Sequence, residues 1–262
     1  MMNQGTPLAN IVIVLDEPQD VVNIAAVVRA MMNMGLSRLR LVKPEDFDPW
    51  RIRGIAHRSD ALIEAIERFD SLPEAIADAV YVVGTSARGR AARTNAVHPR
   101  SVAPALLERA AEGPVAILFG REDRGLTNEG LDLCHEVIVI PTDPAHSSLN
   151  LAQACLLVCY ELLLAAAAFE VEEALGRGKK ARVTPPATQA ELQRMYAALE
   201  DGLARIRFFK GTREPASVLR TLRGLLGRAV PTAREARLLK AMGRQIGRYL
   251  DHVGGAGRRD ND

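Results

Sequence analysis

Cysteine, histidine and aromatic residues are scarce in this sequence, and each shortage excludes a class of protein. Its 262 residues include 3 cysteines, 5 histidines and only 4% aromatic side chains. Three cysteines cannot form a disulfide framework, and they lack the paired spacing of a zinc site, so we expect no metal. The amino-terminal stretch lacks the basic region and the small-residue cleavage site of a signal peptide. We therefore expect a reducing, cytoplasmic location.

Two common nucleotide-binding motifs are also missing. The stretch from Gly84 to Ala91 has glycines spaced as in a P-loop, but Arg90 and Ala91 stand where that loop needs lysine and then serine or threonine. The dinucleotide-binding pattern GxGxxG is absent after the first predicted strand, where the sequence is Leu-Asp-Glu-Pro. These absences disfavour an NTPase and a Rossmann dehydrogenase.

The longest apolar segment, residues 149–175, is interrupted by polar side chains. Asn150, Gln153 and Glu161 break it, so no uninterrupted run reaches the roughly 20 apolar residues of a membrane span. We expect no membrane partner and interpret the segment as a helix that packs on a sheet and against another subunit. Cys155 and Cys159, one turn apart on this helix, are expected to be small buried side chains.

Short apolar runs alternate with helical patterns over the first 145 residues. Strands are predicted at 10–16, 38–44, 81–86, 115–120 and 136–141, and helices at 21–35, 59–69, 72–79, 99–111 and from about 128. The strands are rich in Val, Ile and Leu without alternation, which is typical of a parallel sheet covered by helices on both faces. The predicted fold class is α/β.

Charge and composition divide the chain. Residues 1–175 form one predicted domain, 176–188 a linker rich in Gly, Pro and basic residues, and 189–262 a small helical extension. Residues 176–262 contain 19 basic and 8 acidic residues, a net charge of +11, whereas residues 1–175 carry −9. This division is typical of a protein that docks a polyanion, although an arginine-rich solvated surface fits the charge equally well. The excess of arginine over lysine favours nucleic acid.

The loops that follow the strands are the expected place for chemistry, because ligands of α/β proteins bind at the carboxyl ends of the strands. These loops offer few pairs of nucleophile and base. His146 has Ser147 and Ser148 as neighbours, but members of a catalytic triad meet through folding rather than adjacency. Methyl transfer from S-adenosylmethionine (SAM) to a sugar hydroxyl needs neither a nucleophilic side chain nor a metal. It needs alignment and a nearby cation, for which Arg29 is suitable.

Three ordered motifs resemble those of a known family. NIAAVVRAMMNMG, VAILFGREDRGLTNEGLDLCHEVIVIP and SSLNLAQACLLVCYE are similar to the motifs of the SpoU-type RNA 2′-O-ribose methyltransferases, a branch of the SPOUT superfamily, over roughly residues 8–170. The GTSAR loop and the added helices resemble the TrmJ-type tRNA methyltransferases, which modify cytidine or uridine at position 32 of the anticodon loop. The resemblance implies a C-terminal trefoil knot in the sheet domain, a homodimer through the knot region, tRNA as partner, and SAM as cofactor with S-adenosylhomocysteine (SAH) as product.

The resemblance also implies roles for particular residues. The implied catalytic residues are Arg29, Asn23, Glu122, Ser148 and Asn150. The implied SAM-binding residues are Thr85, Ser86, Ala87, Gly120, Ile140, Ser147, Ser148 and Leu149. Arg88, Arg90 and Arg93 are candidates for RNA phosphate contacts, as is the basic extension.

Structural roles compete with some of these assignments. Asn23 could order a helix start, Asn150 could cap the long helix, and Glu122 could orient Arg29 or a backbone turn. Arg29 itself could be a surface or ion-pair residue. For the whole protein, the same chemistry on ribosomal RNA and a non-enzymatic RNA-binding protein that keeps the fold remain as alternatives.

Overall fold

The computed structural model describes residues 7–87, 96–174, 185–209 and 215–256. The chain divides into two compact units, Met1–Arg182 and Val183–Asp262. The division falls within the predicted linker 176–188. The finer boundaries at 175 and 189 stay a prediction.

Within the described residues, seven strands of the first unit form one sheet. They are β1 (Ile11–Asp16), β2 (Arg38–Val42), β3 (Glu67–Phe69), β4 (Tyr81–Thr85), β5 (Ala96–Val97), β6 (Val115–Phe119) and β7 (Glu136–Ile138). Their order is β3-β2-β1-β6-β4-β7-β5, and every neighbouring pair is parallel. The predicted α/β fold with a parallel sheet is confirmed.

The central strand β1 explains the unbroken apolar sequence of the strands. All residues from Ile11 to Leu15 are fully buried. Ile11, Ile13 and Leu15 belong to the core layer on one face of the sheet, and Val12 and Val14 belong to the other. Because successive side chains of a strand point to opposite faces, a strand covered on both faces needs an apolar residue at every position.

Seven helices surround the sheet in the described part of the first unit. They are α1 (Val21–Asn33), α2 (Pro49–Ile55), α3 (Asp60–Glu64), α4 (Leu72–Ala75), α5 (Pro99–Ala110), α6 (Asn128–Asp132) and α7 (Leu151–Ala174). Side chains in the sequence fix several starts: the Asp20 carboxylate accepts from the Val22 amide at the start of α1, and Thr127 caps α6. These caps hold the strand-exit loops in defined positions.

Three short elements differ from the sequence prediction. The predicted helix over residues 59–69 is wrong in its last third, where β3 pairs with β2. β3 has the sequence Glu-Arg-Phe, whose side chains are exposed or half-buried, so no apolar pattern separates it from the preceding helical turn. The helix α2 and the two-residue strand β5 are absent from the prediction.

The long helix α7 is apolar around nearly its whole circumference. By length and composition alone its segment Leu151–Phe169 could cross a membrane, and a third of that window is buried inside the chain. It packs against α1 and α5. Cys155 and Cys159 are fully buried, as expected, and the hydrogen bond they share, together with burial, raises the pKa of the Cys155 thiol.

The second unit contains three described helices: α8 (Gln189–Arg205), α9 (Pro215–Ala229) and α10 (Ala233–Ala256). α8 and α10 approach so closely that a Cβ on Gly202 would lie 2.6 Å from the carbonyl oxygen of Gly243. Thr188 and Glu191 form a reciprocal capping box at the start of α8. A small core of its own, with Met195 fully buried, holds the unit together. The predicted helical extension is confirmed.

The trefoil knot is a separate question from the sheet. Strand order and register define which strands are neighbours, but they do not trace how the chain threads between them. The knot therefore stays a prediction from the family resemblance.

Candidate active site

Three strand exits meet at one edge of the sheet and enclose a cavity of about 330 Å³. This volume lies within the usual range of about 300–1,000 Å³ for small-molecule sites. The cavity is lined by residues that follow β4, β6 and β7, and all eight residues expected to bind SAM are among them: Thr85, Ser86, Ala87, Gly120, Ile140, Ser147, Ser148 and Leu149. The structure thus gathers positions separated by more than 60 residues around one space.

Gly120, directly after β6, is required by a close approach of the backbone. A Cβ at this position would lie 2.1 Å from the carbonyl carbon of Gly125 and from the amide nitrogen of Leu126. The loop turns back because the Gly125 amide donates to the Arg121 carbonyl at 2.8 Å, with Gly125 at φ +70°. Residues 120–125 all line the cavity and form a compact turn, which we call the rim loop.

A chain of hydrogen bonds joins three distant motifs beside this cavity. The Asn150 Nδ2 donates to Asn23 Oδ1 at 2.9 Å, and Asn23 Nδ2 donates to Glu122 Oε1 at 3.0 Å. The second oxygen of Glu122 accepts from the backbone amide of Gln19 at 3.0 Å. These hydrogen bonds fix the start of α1, the rim loop and the start of α7 relative to one another.

The structure supports two of the alternative roles considered from the sequence. The Asn150 Oδ1 accepts from the Ala152 amide at 2.9 Å, so the side chain caps α7 while its nitrogen holds Asn23. Glu122 orients a backbone turn through Gln19 and also lines the cavity. Capping and support of the site are therefore combined in single side chains.

Arg29 lies apart from the cavity. It is six residues beyond Asn23 on α1, about 9 Å along the helix axis. Its guanidinium is exposed and donates to the backbone carbonyl of His57 at 3.3 Å. It is not among the cavity-lining residues of the described chain. The described chain thus brings Asn23, Glu122 and Asn150 together, whereas Arg29 does not line the cavity.

Comparison with known proteins decides the family. The model of the SpoU rRNA Methylase family matches residues 10–160. This chain belongs to that family. A tRNA (cytidine/uridine-2′-O-)-methyltransferase, TrmJ of Cronobacter sakazakii, is 37% identical over 235 residues, which cover 90% of this chain and 95% of the relative. The resemblance inferred from the three motifs is confirmed.

Solved structures agree with this assignment. The crystal structure of TrmJ from Z. mobilis ZM4 matches with a TM-score of 0.75 at 34% identity, covering 90% of this chain and 98% of that one. A probable methylase family protein from Haemophilus influenzae matches with a TM-score of 0.60 at 34% identity, covering 94% and 99%. The likeness therefore extends beyond the SpoU domain into the helical second unit.

The SpoU motifs did not indicate several charged residues at the cavity. Arg121, Asp123 and Arg124 line it. Arg121 Nε donates to Asp123 at 3.0 Å, and this hydrogen bond lowers the pKa of the Asp123 carboxyl. The sequence signal was available in the run Arg-Glu-Asp-Arg between two glycines, of which only the glutamate was given a role from the sequence.

The remaining candidate residues of this SpoU protein fall into two groups. Arg88, Arg90 and Arg93 lie outside the described residues. His146 is exposed in a short 3-10 turn. Among the described residues, no group of three His, Cys, Asp or Glu side chains could hold a metal ion.

Proposed function

We propose that this chain transfers the methyl group of SAM to the ribose 2′-hydroxyl of cytidine or uridine at position 32 of tRNA. The observation that carries the proposal is the cavity lined by all eight expected SAM-binding residues, with the Glu122–Asn23–Asn150 hydrogen-bond chain at its side. The substrate class comes from the TrmJ relatives, which match nearly the whole chain. Such a substrate would be met in the cytoplasm.

The cavity suits SAM by shape and by chemistry. The missing side chain at Gly120 lets the rim loop fold back on itself, which keeps this wall of the cavity open for the adenine and methionine parts. Phe119, Ile140 and Leu149 offer apolar contacts, while Ser86, Ser147 and Ser148 offer hydroxyl groups. When bound, SAM supplies a methyl group that is already activated by its positive sulfonium.

The chain's own residues then have to orient the ribose and remove its proton. Arg29 carries the proposed cationic role, since a guanidinium beside the 2′-hydroxyl favours the alkoxide and can also hold a neighbouring phosphate. Asn23 cannot swing freely because both ends of its amide are hydrogen-bonded. Fixed side chains of this kind hold reacting groups in line.

The position of Arg29 supports a homodimeric site. Its guanidinium does not line the cavity of its own described chain but bonds to the His57 carbonyl, so we assign it to the cavity of a second copy. The uncovered apolar side of α7 offers an interface: Leu156, Leu157, Tyr160 and Leu164 are between 39% and 45% exposed. In an isologous dimer through the knot region, this surface of one copy would pack against the same surface of the other copy.

Mixing two inactive variants tests the shared site. Arg29→Ala removes the cation, and Gly120→Ala obstructs the rim. If the site is shared, randomly mixed subunits should recover roughly a quarter of wild-type activity, because half of the dimers contain one intact site. If each site is built from one chain, mixing restores nothing.

The basic second unit supports RNA as the acceptor. Arg237, Lys240, Arg244 and Arg248 lie on one face of α10 and line a shallow groove about 16 Å long. None of the four is paired with a carboxylate within the described residues, which leaves their charges available for phosphates. We define these four side chains as the basic stripe.

A methyl-transfer assay tests the proposal. SAM with a radiolabelled methyl group should label unmodified tRNA, and mass spectrometry should map the label to a ribose at position 32. Label confined to ribosomal RNA would establish the alternative substrate. Absence of transfer to both RNAs, together with no SAM binding by calorimetry, would favour the non-enzymatic RNA-binding protein.

A further inference from the structure

The rim loop of the cavity is held from the outside by an acidic residue to which the family motifs give no role. Glu17 directly follows the last residue of β1. Its Oε2 accepts a hydrogen bond from Arg124 Nη2 at 2.7 Å. The same oxygen lies 3.9 Å from Arg121 Nη1. Both arginines line the cavity. One carboxylate thus contacts both cations of the rim.

Glu17 and Glu122 tie the same two segments together in opposite directions. Glu122 reaches from the rim loop to Gln19 and Asn23, whereas Glu17 reaches from the β1 exit back to the rim loop. The backbone of Glu17 adopts φ +51°, a left-handed conformation that non-glycine residues rarely use. A glycine or asparagine would take this conformation more readily, so the glutamate holds its contacts at a cost in backbone strain.

The charges at the rim indicate what that contact does. Arg121 and Arg124 place two positive groups on the wall of a cavity that, on the proposed function, receives a positively charged sulfonium. The two arginines would repel the sulfonium unless nearby carboxylates compensate their charge. Glu17 forms an ion pair with Arg124 and so compensates its positive charge. Asp123 and Glu45 both lie within ion-pair distance of Arg121 and compensate its charge together.

We propose that Glu17 is a positioning residue that holds the rim loop and neutralises its arginines, so that the cavity accepts the cationic SAM as well as the neutral thioether SAH. This inference rests on the proposed function, because it takes the cavity as the SAM site. The Glu17 side chain is 38% exposed, as the pair with Arg124 is at the surface. Such pairs contribute little to folding, and the role is therefore in binding rather than in stability.

The ratio of SAM affinity to SAH affinity separates an electrostatic role from a merely structural one, because the two ligands differ in the charge on sulfur. Loss of a structural contact would weaken both ligands equally. Glu17→Gln should weaken SAM binding about fivefold more than SAH binding, the scale of one uncompensated charge near a partly aqueous site. Arg124→Gln should shift the ratio of the two affinities in the opposite direction, because it leaves Glu17 as excess negative charge. The double variant Glu17→Gln/Arg124→Gln should restore the wild-type ratio.

Calorimetry on the full chain tests these expectations. Wild-type protein that binds neither ligand would contradict the proposed function itself. Wild-type binding with an unchanged SAM to SAH ratio in both single variants would overturn the role of Glu17 and leave the proposed function intact. Thermal melts should stay within about 3 °C of wild type for each variant. If Glu17→Gln fails to fold, the opposite shift in Arg124→Gln still decides the question.

Discussion

The two units of this chain differ in the kinds of contact that their polar side chains make. In the sheet unit, the candidate site is built from hydrogen bonds of about 3 Å, a glycine that tolerates no side chain, and the half-buried Asn23 amide, which is held at both ends. In the second unit, four cations along one face of α10 have no carboxylate partner within the described residues. Alignment of reacting atoms needs fixed groups, whereas attraction of a polyanion needs accessible charge. Variants in the two units should therefore change different steps.

The largest effect is expected at Arg29. Arg29→Ala should lower the rate of methyl transfer about 10³-fold, because the ribose hydroxyl loses the cation that stabilises its alkoxide. Binding of SAM should change far less than this rate, because the proposed contact of Arg29 is with the ribose hydroxyl rather than with SAM. Single-turnover kinetics and calorimetry measure the two quantities.

Arg53→Ala is the matched control for Arg29. Arg53 is an exposed arginine that pairs with Asp60 on the neighbouring helices. It should transfer methyl groups at the wild-type rate. A rate for Arg29→Ala close to that of Arg53→Ala would contradict the catalytic assignment and leave Arg29 as a surface residue.

A second, smaller effect separates capping from support of the site. Asn150→Asp keeps an oxygen that accepts from the Ala152 amide, but it loses the nitrogen that donates to Asn23. We expect methyl transfer to fall about 100-fold while the free energy of unfolding changes by less than about 0.5 kcal/mol.

Asn150→Ala is the comparison, because it loses both contacts. It should show the same loss of rate and an additional loss of about 1 kcal/mol in the free energy of unfolding, as expected for a missing helix cap. Equal activity of the wild type and Asn150→Asp in a kinetic assay would leave Asn150 with a capping role only.

A third effect should be confined to RNA binding. The triple variant Arg237→Gln/Arg244→Gln/Arg248→Gln removes most of the basic stripe and should weaken tRNA binding by about 10-fold at moderate salt. The slope of log affinity against log salt should become shallower by roughly two to three units, while SAM affinity stays unchanged.

Filter binding at several salt concentrations measures this slope. Arg100→Gln serves as the control, because Arg100 is an exposed arginine of the sheet unit that already pairs with Glu161. A triple variant with the wild-type slope would refute the role of the basic stripe.

The last prediction concerns the sheet unit alone, and we expect it to have the smallest effect on methyl transfer because it affects the pH dependence of stability. Burial lowers the pKa of His135 from 6.5 to about 4, and its ring stacks on Tyr81. Between these pH values the unfolded chain binds a proton that the folded chain does not. We therefore expect the contribution of His135 to the free energy of unfolding to be fully present above about pH 6.5 and to fall by up to about 3 kcal/mol as the pH drops towards 4.

Denaturant titrations at several pH values measure this dependence. His135→Phe keeps an aromatic ring against Tyr81 and should have a flatter pH dependence than the wild type. Identical pH dependence of the two proteins would show that the acid sensitivity arises at other groups.

The fold was predictable where burial dictates the sequence. β1 and β6 are buried on both faces, so their apolar runs leave no other interpretation. β3 could not be predicted, because its strand conformation comes from pairing with β2 and not from its own three residues. α2 was missed although Asp48 and Pro49 mark its start, with the Asp48 carboxylate accepting from the Trp50 amide.

From the sequence, the candidate site could be predicted as a set of residues but not as a geometry, and its functional roles stay a prediction. The family motifs identify Asn23, Glu122 and Asn150, yet their hydrogen bonds join positions about 100 residues apart, and no local pattern encodes such contacts. The separation of Arg29 from its own cavity was equally inaccessible. Glu17 carries no motif, and its contact with Arg124 becomes visible only when the strand exits are seen together.

A crystal structure of the protein grown with excess SAM tests the central claim most directly. The account predicts SAM in the cavity between Thr85, Gly120 and Ser148, with Arg29 of a second copy facing its methyl group. SAM bound elsewhere on the chain, or a cavity with no guanidinium of a second copy within reach, would contradict it.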